Sequence, residues 1–205
     1  QAVYEGHLTS LEYGLRTEVE YFIKTLLTPQ ARCMIQTLYI DRQASRHKGK
    51  TLASTSPMHH IGVIGGGFMG SAIAAHIIAS GLSLTLIEQD KTSLDQARDR
   101  LEGLLMKYPP AHRNKYTLST DLSKLSTCDL VIEAVYENLE LKQDILARVE
   151  LHLRPGVILA SNTSTIPITD LASVLKRPVD FIGIHFFSPV ARMELVEIIR
   201  SKHTR

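Results

Sequence analysis

The segment HHIGVIGGGFMGSAIAAHIIAS, residues 59–80, constrains this chain more than any other. Its apolar run over 60–64 reads as a short buried strand, and the Ala- and Ile-rich run over 68–80 reads as a helix. Between them Gly65, Gly67 and Gly70 form a GxGxxG turn. Gly65 permits a tight turn, Gly67 lets a ligand come close to the backbone, and Gly70 lets the helix pack near the strand. The helix then begins at Phe68 and Met69 with amide groups and a positive dipole end facing the turn. Such a corner suits a dinucleotide diphosphate. A glycine-rich turn alone is a weak signal, but strand, turn and helix in this order make it a strong one.

A second strand signal over 82–88 ends at Glu88, 18 positions after Gly70. This is close to the spacing at which an acidic residue takes the ribose hydroxyls, repelling a 2′-phosphate and favouring NAD over NADP. Glu88 could instead merely cap the strand, and Asp90 competes for the role. Beyond it the signals keep alternating. Helices are expected over 92–106, 139–153 and 168–175, and strands over 116–119, 129–134, 157–160, 180–186 and 193–199. Strands separated by helices of this length predict an α/β fold, a Rossmann doubly wound, mostly parallel sheet with helices on both faces.

The start of the chain is different. Residues 1–43 read as helix, with Leu11, Leu15, Val19, Phe22, Ile23 and Leu26 at steps of three and four. Thr28-Pro29 marks a new helix start, Thr28 as N-cap and Pro29 at the first position. Two such helices cannot form a core alone, so this is an N-terminal helical linker that must pack on something. Residues 44–59 have the polar, basic character of a tether. The expected division is therefore 1–43 linker, 44–59 tether and 60–205 Rossmann domain.

Four stretches resemble one family: IGVIGGGFMG, DLVIEAVYENLELK (129–142), ASNTSTIPI (160–168) and GIHFFSPVARMELVEII (183–199). Together they are similar to the NAD-binding domain of L-3-hydroxyacyl-CoA dehydrogenases, from about residue 61 onward. The stretch LRTEVEYFIKTLLTPQARCMIQTLYIDRQ resembles, more loosely, the linker joining an enoyl-CoA hydratase domain to the dehydrogenase in multifunctional β-oxidation enzymes. The resemblance implies that His185 is the general base taking the proton of the substrate's 3-hydroxyl, and that Glu197 pairs with it. An imidazole titrates near neutrality, and an adjacent carboxylate favours its protonated form. A hairpin around Ser188-Pro189 would bring the two together; with 185 opposite 195, Glu197 would be a diagonal neighbour. Ser164 would bond the reacting oxygen or the nicotinamide end, and Glu137 and Lys142 would contact the cofactor. Each has a plainer reading: Ser164 as a turn former, Glu137 and Lys142 as a helix cap and a solvated charge, and His185 as a satisfied core residue.

The resemblance also implies a following helical domain with a further catalytic residue, much of the acyl pocket and often dimer contacts. That domain is absent from this sequence, so the expected fragment binds NAD and turns over little alone. The segment KYPPAHRNKY (107–116) is shorter than the family's usual pair of helices, where CoA contacts are expected. Other classes are disfavoured. A net charge of +2 with scattered basic residues argues against nucleic acid, and the cluster Arg42, Arg46, His47, Lys48 and Lys50 reads as solvated linker. No apolar run reaches a membrane span. Cys33 and Cys128 have no metal-ligand spacing and suit a reducing compartment, either cytoplasm or an organelle matrix. A first residue of Gln suggests a processed or excised chain. The competing readings are a scaffold module with a vestigial NAD site and another β-hydroxyacid dehydrogenase on the same fold.

Overall fold

A computed structural model describes residues 2–44, 57–109 and 116–204. The expected tether and basic cluster (except Arg42), and most of the shortened 107–116 segment, lie largely outside the described residues. The chain divides into two compact units, Gln1–Ser56 and Pro57–Arg205.

In the first unit α1 (Ala2–His7), α2 (Leu11–Leu26) and α3 (Pro29–Ile35) follow one another, and a π-helical turn over Gln36–Asp41 continues α3. The break at Thr28-Pro29 is where the sequence puts it, and the Thr28 hydroxyl accepts from the Ala31 N–H at 3.1 Å. A second break was not anticipated. Residues 8–10 end α1, and the Ser10 hydroxyl caps α2 through the Tyr13 N–H. Gly6 and Gly14 let α1 and α2 approach, since a Cβ on Gly14 would lie 3.0 Å from the Gly6 carbonyl oxygen. Thr17 is the one buried residue of these three helices.

The second unit is built on one seven-stranded sheet. Its strands are β1 (His60–Ile64), β2 (Ser83–Ile87), β3 (Tyr116–Ser119), β4 (Leu130–Glu133), β5 (Ile158–Ser161), β6 (Phe181–Phe186) and β7 (Val196–Arg200). Their order is β3-β2-β1-β4-β5-β6-β7. The first six are parallel, and β7 runs antiparallel to β6. Helices α4 (Phe68–Ala79), α5 (Lys91–Leu105), α6 (Leu139–Glu150) and α7 (Ile168–Ala172) connect them, with an unanticipated 3-10 turn at Leu122–Thr127.

Alternation along each strand divides the apolar side chains between two cores. Ile61, Val63, Leu84, Leu86 and Ile132 pack with α4 and α5 on one face. Ile64, Ile87, Val131 and Leu159 pack with α6 and α7 on the other. Both faces are thus covered, which is why these strands read as nearly continuous apolar runs. The strand order reverses between β1 and β4, leaving a crevice at the carboxyl edge where open α/β sheets bind ligands.

Candidate active site at the carboxyl edge

The glycine turn follows directly from β1. Gly65 has φ +90°, a conformation that L side chains rarely adopt, and its N–H donates to the Ile87 carbonyl at 2.9 Å. A Cβ on Gly70 would stand 1.8 Å from the Gly65 carbonyl oxygen, so α4 can start this close to β1 only with glycine there. Gly67 is the opposite case. It is exposed, caps α4 without a side chain, and no atom lies within 4 Å of where its Cβ would be. Open space in front of Gly67 and the first turn of α4, with Phe68 exposed and Met69 half-buried, is what a diphosphate needs.

Glu88 lies just beyond β2 and turns its carboxylate into this corner, accepting from the Gly66 N–H with Oε1 and from the Gln89 N–H with Oε2 at 3.2 Å. Asp90, its competitor, is committed elsewhere as the N-cap of α5. It accepts from the Ser93 N–H at 2.8 Å, and this bond holds its carboxyl below the ordinary carboxylate range. A cleft of about 490 Å³ opens here, lined among others by Gly65, Gly67, Glu88, Val135 and Arg148. Arg100 also lines it and donates to the Gly66 carbonyl at 3.2 Å. Neither arginine was singled out in the sequence, where both look like ordinary charges on helix faces.

A second cluster joins β4, α6 and the loop after β5. Glu133 and Lys142 are 0% and 1% exposed, with Lys142 Nζ 2.7 Å from Glu133 Oε1. The same ammonium donates to the Val135 carbonyl at 3.1 Å and lies 3.3 Å from Glu137 Oε2. Two hydrogen bonds and one further ion pair therefore hold it. Glu137 Oε1 accepts from the Thr163 hydroxyl, from the N–H groups of Ser164 (3.0 Å) and Thr165 (3.1 Å), and from the Thr165 hydroxyl at 3.2 Å. Burial raises this carboxyl's pKa. The Thr163 hydroxyl, the Thr165 N–H, the Lys142 charge and the Ser164 N–H outweigh burial and hold it at about 2.

The third group is on β6 and β7. His185 and Glu197 are direct register partners, with Nδ1 2.9 Å from Glu197 Oε2. This corrects the expected pairing of 185 with 195. The hairpin, which contains a cis Ser188-Pro189 bond, carries two residues more between the partners' rungs, and no turn rule reveals that from sequence. The His185 ring packs on Phe187 with centroids 4.6 Å apart and keeps 19% of its side chain exposed. Asn162, another residue the sequence reading passed over, ties this group to the rest. Its Oδ1 accepts from the Phe186 N–H at 2.9 Å. Since β1, β2, β4, β5 and β6 are parallel, all three groups sit at the same edge of the sheet.

A parallel sheet with this strand order, a glycine corner at its switch point and an acid at the end of β2 define a dinucleotide-binding α/β domain. The chain belongs to the family of 3-hydroxyacyl-CoA dehydrogenase NAD-binding domains, whose model matches residues 60–205. NAD is the dinucleotide of this family, and the open corner at Gly67 with the carboxylate of Glu88 fits it. Among curated relatives, the chain is 38% identical over 203 residues to the fatty acid oxidation complex subunit alpha of Acinetobacter baylyi, covering 93% of this chain and 28% of that protein. Among solved structures, it is similar to Mycobacterium tuberculosis FadB2 (34% identity, TM-score 0.70, 73% of this chain and 56% of that one). It is also similar to (S)-3-hydroxybutyryl-CoA dehydrogenase PaaH1 of Ralstonia eutropha (35%, TM-score 0.68, 72% and 56%). The chain thus spans less than a third of the length of the curated relative. No helix among the described residues is long and apolar enough to cross a membrane.

Proposed function

We propose that this chain is the cofactor-binding part of an enzyme that oxidises L-3-hydroxyacyl-CoA to 3-ketoacyl-CoA in fatty-acid β-oxidation. When bound, NAD supplies the hydride acceptor. The amides of Gly67, Phe68 and Met69 hold its diphosphate, and Glu88, oriented by the Gly66 N–H, accepts from the adenosine ribose hydroxyls.

His185 is the base. With Nδ1 turned to the Glu197 carboxylate, the proton of the neutral ring resides on Nδ1 and the lone pair on Nε2. Nε2 takes the 3-hydroxyl proton, and Glu197 then stabilises the imidazolium. Ser164, on the turn anchored by Glu137, bonds the reacting oxygen or the nicotinamide end. The His185–Glu197 contact of 2.9 Å, at the same sheet edge as the glycine corner, is the observation that carries this reading.

The length of the relatives supports further domains in the intact protein: a helical domain completing the acyl pocket, and a hydratase domain upstream of the helical linker. Their bacterial sources support a cytoplasmic setting. The 205-residue chain alone is expected to bind NAD saturably in calorimetry, and NADP at least about tenfold more weakly. Turnover of hydroxybutyryl-CoA should be negligible until the remaining domains position the substrate. Ordinary turnover by the chain alone would contradict this division of labour. Absence of any heat with NAD would favour the scaffold reading.

A further inference from the structure

The buried carboxylate of Glu133 has no part in the reaction just described, yet it is the most enclosed charge in the unit. It ends β4, one residue before the crevice at the switch point. Oε1 accepts from Lys142 Nζ and from the Val135 N–H, each at 2.7 Å, and Oε2 accepts from the Ser161 hydroxyl at 2.6 Å. Its own carbonyl accepts from the Asn162 N–H at 2.8 Å. One residue therefore fastens four pieces of chain: the end of β4, the loop after it, α6, and the end of β5. Among the described residues, no buried side-chain polar atom lacks a partner.

A buried ion pair of this kind is a poor device for stability alone, because apolar residues of similar volume commonly do as well. What this one does is geometric. Lys142 Nζ passes from Glu133 to Glu137, and Glu137 holds the backbone of Ser164 and Thr165. On the other side Ser161, whose hydroxyl donates to Glu133 Oε2, accepts from the Thr163 N–H at 3.3 Å, one residue before Ser164. The Glu133–Lys142 pair thus holds the Ser164 turn by two routes, one through Glu137 and one through Ser161.

We infer that Glu133 is a positioning residue for the nicotinamide end of the cofactor. It acts on the Ser164 turn through Lys142 and Glu137, and through Ser161 and Thr163. Lys142 is the link on the first of these routes. This inference rests on the proposed function, since it presumes that the nicotinamide ring lies at this edge.

The test needs no turnover. NADH emission reports the surroundings of its nicotinamide ring, whereas ADP-ribose lacks that ring and probes only the adenosine and diphosphate end. The 205-residue chain, its Glu133→Gln variant and the double variant Glu133→Gln/Lys142→Met would be titrated with both probes. The double variant leaves no lone charge in the core, so it remains informative if the single one fails to fold. The expected result is ADP-ribose affinity within twofold of the parent in the double variant. NADH should bind it about tenfold more weakly, as for one charged hydrogen bond, with emission at saturation falling toward that of free NADH.

Parent-like NADH emission and affinity in the double variant would overturn the inference. So would a parallel loss of ADP-ribose binding, which marks a merely structural role. Failure of the parent chain to bind either probe is a separate outcome and removes the proposed function itself.

Discussion

At Glu137 burial and hydrogen bonding pull in opposite directions, and bonding wins. Its carboxyl is held at about 2 against an ordinary 4.5. The folded-state value is the lower one, so the stability it contributes is complete above pH 4.5 and is lost as the pH falls through 2. More than a third of the side chain faces water, so the effect is screened and modest. Urea unfolding between pH 6 and 2 should show a steeper acid loss for the parent than for Glu137→Gln; identical pH profiles would exclude this role. The cysteines offer a second check. Burial, aided by Asp129, pushes the Cys128 thiol up to about 12, while Cys33 is exposed. A thiol reagent at pH 8 should label Cys33 readily in the native chain and Cys128 only after denaturation. Rapid labelling of both would contradict the buried setting of Cys128 beside β4.

Among the elements, α6 matters most because it carries Lys142 and Glu137 immediately precedes it. Its N-cap is Asn138, whose Oδ1 accepts from the Leu141 N–H at 2.9 Å. Replacement by Ala should cost about 1 kcal/mol of stability, the usual worth of a cap, and fray the first turn. A loss in the same direction is expected at α5, where Asp90 caps through the Ser93 N–H. Denaturant midpoints for Asn138→Ala and Asp90→Ala would measure this, and a loss near zero at both would refute capping as the source of these helix starts. Deeper in the same layer, Leu101 of α5 is fully buried between α4 and the sheet, and Leu101→Ala should cost about 2–5 kcal/mol.

At the scale of the whole chain the two units differ in kind. The sheet unit has two cores, one on each face, whereas the three helices before it bury only Thr17. Helices this short, without a core, are marginal in water. Hydrogen exchange should therefore be fast across 11–26 and slow across β1, β2 and β4 in the isolated chain. Equal protection in both regions would show that the helical unit draws stability from contacts outside itself. The same contrast explains why the apolar stripe on α2 could be read from the sequence but its partner could not: periodicity marks a face to be covered and carries no information about what covers it.

Local physics was enough for the parts that depend on few consecutive residues. The strand–glycine–helix corner, the alternation that predicts a two-faced sheet, the Thr28-Pro29 helix start and the acid after β2 each follow from backbone conformation, period or charge within one short segment. The pairing of His185 with Glu197 is what the family resemblance implied, but its rung was not legible, because hairpin register depends on turn geometry that spacing leaves open. Glu133, Asn162, Arg100 and Arg148 were invisible for a different reason. A carboxylate in an apolar strand or an arginine on a helix looks the same whether it faces solvent, a cleft or a buried ammonium. Only the assembled sheet, by bringing the ends of β4, β5 and β6 side by side, decided which charges lie out of water and must therefore find one another.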